Sequence, residues 1–117
     1  YCWSVAIDPG DAARVLLSAA ASARRAHTAG SAASYLYRRT DTESDASDWE
    51  RLDAVGLPTG EGVLRATLTS GVAAGEVFAL TDRGLYRTAD GGDSFDRVGV
   101  EWPESFREHT SRGLAVV

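Results

Sequence analysis

The sequence predicts an all-β fold: about two four-stranded antiparallel units, the opening strand of a third, and room for a short helix within 19–27. Three observations predict it. Short apolar runs with β-type residues alternate with turn signals along most of the chain. The same order of strands and turns occurs twice, at a spacing near 45–50 residues. The composition, 44% hydrophobic and 25% charged over 117 residues, is that of one ordinary globular domain.

The elements follow in order. The first strand is expected at 3–7, where Trp3, Val5 and Ile7 alternate with small residues. It ends at Asp8-Pro9-Gly10, a strong turn signal. The second is expected at 14–18, around Val15, Leu16 and Leu17. Local rules favour a helix over 11–30 instead. Asp11 would cap it, Ala12, Val15, Leu16, Ala19 and Ala23 recur at helical spacing, and Gly30 lies past its end. The repeat overrides this reading at 14–18, because the matching stretch 77–81 is β-rich and too short for a helix. An α+β domain built on an 11–30 helix remains as an alternative fold. The third strand is expected at 35–38 and the fourth at 49–52, after a long acidic loop.

In the second copy the strands fall at 63–68, 75–81, 84–87 and 95–98. Tyr37 and Tyr86 are 49 residues apart, and Trp49 and Phe95 are 46 apart. A further strand is expected at 113–117, since Val116 follows Leu68 by 48. Pro103 at a first helical position and Gly113 past the end allow a helical turn over 103–112. A four-strand repeat of this period is that of a β-propeller blade. The expected division is a first blade over 1–53, a second over 54–100, and a linker with the start of another blade over 101–117. Starting in a strand without an initiator Met, the chain is expected to begin mid-protein.

One motif stands out. Thr88-Ala-Asp90-Gly-Gly92-Asp-Ser94-Phe95 follows the order Ser/Thr, any, Asp, any, Gly, any, Ser/Thr, aromatic. A tight hairpin explains the residue types. Asp90 can accept from backbone N–H groups inside the turn, and Gly92 permits positive φ. Thr88 and Ser94 can bond across the mouth, while Phe95 can bury against neighbouring strands. With Gly84-Leu-Tyr-Arg87 just ahead, the segment resembles the BNR/Asp-box repeat family of sialidase-like, sortilin-like and photosystem II assembly factor-like propellers. The close match covers 77–97. The first copy departs from it: eleven residues separate Tyr37 from Trp49, three more than the eight between Tyr86 and Phe95, and none is glycine. In that family the Asp box is a folding element, so the resemblance implies fold rather than activity.

Composition narrows the function. All 12 basic residues are Arg, and Lys, Met, Asn and Gln are absent, which fits a high-GC or salt-adapted source. A net charge of −5 argues against nonspecific nucleic-acid binding. No apolar run is long enough for a membrane span. Cys2, the single cysteine, is expected as a small buried hydrophobe. Asp41, Glu43 and Asp45 alternate as in a calcium loop, but Ala46 and Leu52 stand where glycine and a carboxylate are needed. No metal, cofactor or catalytic residue is assigned. A sialidase-type site needs convergent arginines, whereas Arg38 and Arg39, as strand neighbours, point to opposite faces. Arg24 and Arg25 are likewise adjacent. His27 and His109 are expected at the surface. The aromatic residues are expected between blades, with Trp102 the most exposed. The expected role is a non-catalytic binding or assembly scaffold for a protein or carbohydrate ligand. Its partners would include the remaining blades of a longer chain or of other copies. The alternative is part of a sialidase-like glycoside hydrolase whose catalytic residues lie outside the chain.

Overall fold

A computed structural model describes residues 1–40, 49–106, 109 and 113–116. Its strands form two antiparallel sheets. In the first, β1 (Cys2–Asp8), β2 (Asp11–Ala20), β3 (Ala33–Arg39) and β4 (Glu50–Arg51) lie in chain order, and β5 (Gly60–Glu61) pairs with the start of β3. The second sheet is β6 (Thr67–Ser70), β7 (Val77–Thr81), β8 (Gly84–Thr88) and β9 (Asp96–Arg97). The fold is therefore all-β, and the α+β alternative is excluded.

Local chemistry sets the turns. The Asp8 carboxylate accepts from the Gly10 N–H (2.8 Å), closing the β1–β2 hairpin. Between β7 and β8 the Thr81 hydroxyl accepts from Arg83 N–H (3.0 Å) and donates to the Gly84 carbonyl (3.1 Å). Residues 11–20 are extended, although their alanines favour helix. The strand wins because β2 pairs with β1 on one side and, over Val15–Ala20, with β3 on the other and buries Leu16, Ser18 and Ala20 at period two. A helix does form just beyond: α1 (Ala23–His27), capped by the Ser22 hydroxyl accepting from Arg25 N–H.

Several expected elements are corrected. The opening strand of the second sheet begins at Thr67, not at 63. Residues 63–66 are buried but irregular, since Arg65 N–H bonds the Ala26 carbonyl and Ala66 N–H the Ser18 hydroxyl. Residues 113–116 lie in no strand; of the turn expected over 103–112 the described part holds a 3₁₀ turn, Glu104–Phe106, and residues 107, 108 and 110–112 lie outside the described residues. Cys2 is exposed, because the β1 register shifts beside it. Short β5 had no sequence signal.

The core lies between the sheets. Ala6, Leu16, Leu36 and Leu52 of the first unit meet Leu68, Val77, Ala79, Tyr86 and Phe95 of the second, with Leu57 and Ala66 from the connection. Burying one such leucine stabilises by about 1.5–3 kcal/mol. Strands β1 and β6 approach through small residues and are bridged by hydroxyls instead of ladder bonds. Ser4 Oγ accepts from Leu68 N–H (2.8 Å), and Ser70 Oγ donates to the Ile7 carbonyl (2.5 Å).

The registers show how the sheets are stacked. Val5, Leu17, Tyr37 and Arg51 form one cross-strand row of the first sheet. Leu68, Ala79, Tyr86 and Arg97 form the corresponding row of the second, with the two tyrosines in register. Yet Leu68, Ala79 and Tyr86 are 5%, 0% and 8% exposed, whereas Val5 is 58% exposed. The adjacent row, Ala6, Leu16, Arg38 and Glu50, covers them from the first sheet, where Ala6 and Leu16 are 4% and 1% exposed. Equivalent rows are thus buried in one sheet and open in the other. The sheets stack front to back, both facing the same way, and not face to face as in a two-sheet sandwich.

Candidate functional site

The hairpin from β8 to β9 holds all five residues of the motif. Thr88 ends β8, and its buried hydroxyl donates to Asp90 Oδ1 (2.7 Å) while accepting from Gly92 N–H (3.0 Å). Asp90 also accepts from Ser94 N–H (2.9 Å) and from the Ser94 hydroxyl (2.6 Å). Thr88 and Ser94 therefore meet at the carboxylate, not directly across the mouth. Gly92 has φ +100°, and an added Cβ would stand 3.0 Å from Leu16 Cδ2 and 3.2 Å from Leu52 Cδ1. Only glycine both adopts that backbone and lets the turn press on the first sheet. Phe95 is buried in the core, and its N–H donates to the Val55 carbonyl (2.7 Å).

The Ser94 hydroxyl holds the Asp90 carboxyl down at about 2; partial desolvation opposes this, and Ser94 N–H and Thr88 add to it. Asp90 is thus ionised at neutral pH and serves as an acceptor, a poor proton donor.

Two further anchors tie the turn region to the first sheet. Arg38 of β3 donates to Asp93 Oδ1 (2.6 Å) and the Gly91 carbonyl (3.1 Å), and its Nε to Glu50 (2.9 Å). Burial opposes its charge, but the Asp93 and Glu50 carboxylates outweigh that and raise its pKa. The Asp8 carboxylate, 4% exposed, accepts from Gly75 N–H (2.7 Å) and from Arg14 Nη1 (3.1 Å) as well as from Gly10. Desolvation raises its pKa, and the Gly75, Gly10 and Arg14 contacts together outweigh it, leaving a lowered value. Asp8 thereby staples the β1–β2 turn to the β6–β7 turn. Sequence reading took it only as part of a turn; the Asp-Pro-Gly pattern carries no signal of the partner at Gly75.

The arginine pairs behave differently. Arg38 faces the second sheet, while Arg39 lies on the opposite side against Trp49. Arg24 and Arg25 sit on α1, and Arg25 reaches Glu61 (2.8 Å). His27 is half-buried instead of at the surface, edge-on to Tyr1 and Trp3. His109 is exposed. Tyr86 and Phe95 enter the core, whereas Trp3, Tyr35, Tyr37 and Trp49 are only partly covered. Trp102 is not free: its indole N–H donates to the Asp82 carbonyl (2.8 Å). The calcium-like alternation Asp41, Glu43, Asp45, with Ala46, lies outside the described residues.

One open cleft was not legible in the sequence. Pro58, Arg83, Tyr86, Arg97, Trp102 and Glu104 line a space of about 380 Å³ at the edge of the second sheet. Two guanidinium groups and two aromatic residues suit a planar or anionic group. Arg83 and Arg97 come together because the β7–β8 turn and β9 meet at one end of the sheet. No three His, Cys, Asp or Glu side chains among the described residues group closely enough to hold a metal ion. No described helix is long and apolar enough to cross a membrane. No protein-family model matches the chain, and no curated protein matches it.

Proposed function

We propose that the chain is a non-catalytic β-propeller repeat segment of the BNR/Asp-box type, acting as a binding or assembly scaffold. The observation that supports this reading best is the front-to-back stacking of the two sheets, whose four-strand paths β1–β4 and β6–β9 run in matching register. Face-to-face sandwiches use up their apolar faces in one interface. Front-to-back stacking leaves an open face at each end of the stack, which is how blades are arranged around a ring. The motif fits the same reading. Each oxygen of Asp90 accepts a short hydrogen bond from within the hairpin, so the box acts as a folding device.

A second reading, part of a sialidase-like glycoside hydrolase, has one observation in its favour. Arg83, Arg97, Tyr86 and Glu104 share the cleft beside Trp102. Arg83 is already engaged, donating to the Gly62 carbonyl (3.1 Å), which weakens that case. The catalytic residues of that alternative lie outside the chain, so ligand binding, not turnover, separates the two. Free sialic acid is titrated against the chain and followed by nuclear magnetic resonance. The scaffold reading expects no saturable shift at Trp102 or Arg97; saturable binding abolished by Arg97→Ala would overturn it.

A further inference from the structure

We propose that the open face of the first sheet is a docking surface for a second copy of this chain, which seats the open face of its own second sheet there, head to tail. The proposal rests on the scaffold reading above and goes beyond it by naming the partner and both surfaces. On the open face of the first sheet, Val5 and Ile7 are 58% and 49% exposed, beside partly covered Val15, Leu17 and Tyr37. An apolar sheet face of this kind marks an association surface.

The second sheet shows what covers such a face. By register, Val5, Leu17 and Tyr37 correspond to Leu68, Ala79 and Tyr86, which are buried under Ala6, Leu16 and Leu36 of the first sheet. The counterparts of Ala6, Leu16 and Leu36 in the second sheet are Thr69, Phe78 and Leu85, and these lie on its other side, only partly covered. Arg38 has its counterpart in Arg87, each opposite an acidic residue on the outermost strand, Glu50 and Asp96. A second copy therefore offers Val5, Leu17 and Tyr37 the same kind of row that already seals their counterparts. The interface inside the chain is repeated between chains.

The two surfaces differ, so the contact is heterologous and generates a closed ring or an open array. Natural propellers contain about four to eight blades, which corresponds to about two to four copies.

Single substitutions on either face give a sharp test. Val5→Asp places a charge in one half of the contact, and Phe78→Asp in the other. Molecular mass is measured by light scattering and sedimentation over a concentration series for the 117-residue chain, both variants and their equimolar mixture. Circular dichroism confirms the fold, and Val5→Thr and Phe78→Thr serve as milder pairs. The wild-type chain is expected to associate, and each Asp variant to bind itself about a hundredfold more weakly or less. The mixture is expected to recover a one-to-one dimer, because each variant keeps the face the other lacks. A folded wild-type monomer at the highest soluble concentration would overturn the proposal. So would a dimer broken by Val5→Asp but untouched by Phe78→Asp, which would mean symmetric pairing of one face. Neither result touches the scaffold reading, which the sialic-acid titration tests separately.

Discussion

Replacing Asp90 by alanine removes three short hydrogen bonds at once, from the Thr88 hydroxyl, Ser94 N–H and the Ser94 hydroxyl. Ser94 is exposed and its donors return to water at little cost. Thr88 is fully buried, so its hydroxyl loses its acceptor where water does not reach. At about 1 kcal/mol per net bond, and more for the buried donor, the loss comes to about 2 kcal/mol. The charge supplies part of this. A carboxyl lowered from 3.8 to about 2 corresponds to about 2.5 kcal/mol at 1.36 kcal/mol per unit. Because Asp90 is exposed, screening reduces that to about 1 kcal/mol. Asp90→Asn should therefore cost about 1 kcal/mol and Asp90→Ala about 2 kcal/mol. Urea titration followed by tryptophan fluorescence measures both, in the Phe78→Asp background so that association does not enter. The sign with pH follows from the lowered pKa. The carboxylate's contribution is complete above 3.8 and is lost as pH falls toward about 2, so the Asp90→Asn difference should fade over that range. A cost under about 0.5 kcal/mol for Asp90→Ala, or a difference that persists unchanged at the acid end, would refute this role for the carboxylate.

Other perturbations follow from the same contacts. Arg38→Ala loses the bonds to Asp93, Gly91 and Glu50 and should cost about 1–2 kcal/mol by denaturant midpoint, its acidic partners being largely hydrated; Arg38→Lys should recover little, since one ammonium cannot reproduce the guanidinium fork. Gly56→Ala should be the harsher glycine change, about 2–4 kcal/mol, because φ is +97° and the new Cβ would meet the Phe95 carbonyl oxygen. Asp8→Ala should lower the thermal midpoint more than Asp90→Ala, since it strands the buried Gly75 N–H and Arg14. The wild-type chain should also lose stability as pH falls through 6.5. Desolvation and then Arg65 lower the His27 pKa, so the unfolded chain takes up the proton first; His27→Phe should flatten that part of the profile.

Much of the first layer of this architecture was legible in the sequence. The four-strand order repeats although the connections differ, α1 lying between β2 and β3 where a two-residue turn joins β7 to β8, and the β7–β8–β9 stretch matched its expected strands closely. Strand β2 was legible only through the repeat: Ala-rich 11–20 reads as helix in isolation, and pairing on both sides decides otherwise. The start of β6 was not legible, because Arg65 and Ala66 direct their N–H groups to α1 and Ser18, contacts set by tertiary approach. Within the motif, residue types gave the turn and the glycine, but not the convergence of Thr88 and Ser94 on Asp90. The partners beyond the turn, Arg38 and Leu16 in the other sheet and Val55 in the connection after β4, leave no local pattern. Asp8 shows the same limit. Its hairpin role is encoded within three residues, whereas its bond to Gly75 spans 67 residues of chain.

Front-to-back stacking is tested most directly by solvent exposure of individual methyl groups. A soluble paramagnetic agent is added to the methyl-labelled Phe78→Asp chain, and relaxation is read by nuclear magnetic resonance. Val5 and Ile7 methyls should relax strongly, while those of Leu68, Val77 and Ala79, in equivalent strands, should be protected. Equal protection of Val5 and Leu68 would mean that the sheets meet face to face, and the repeat-scaffold reading and the head-to-tail surface would both fall.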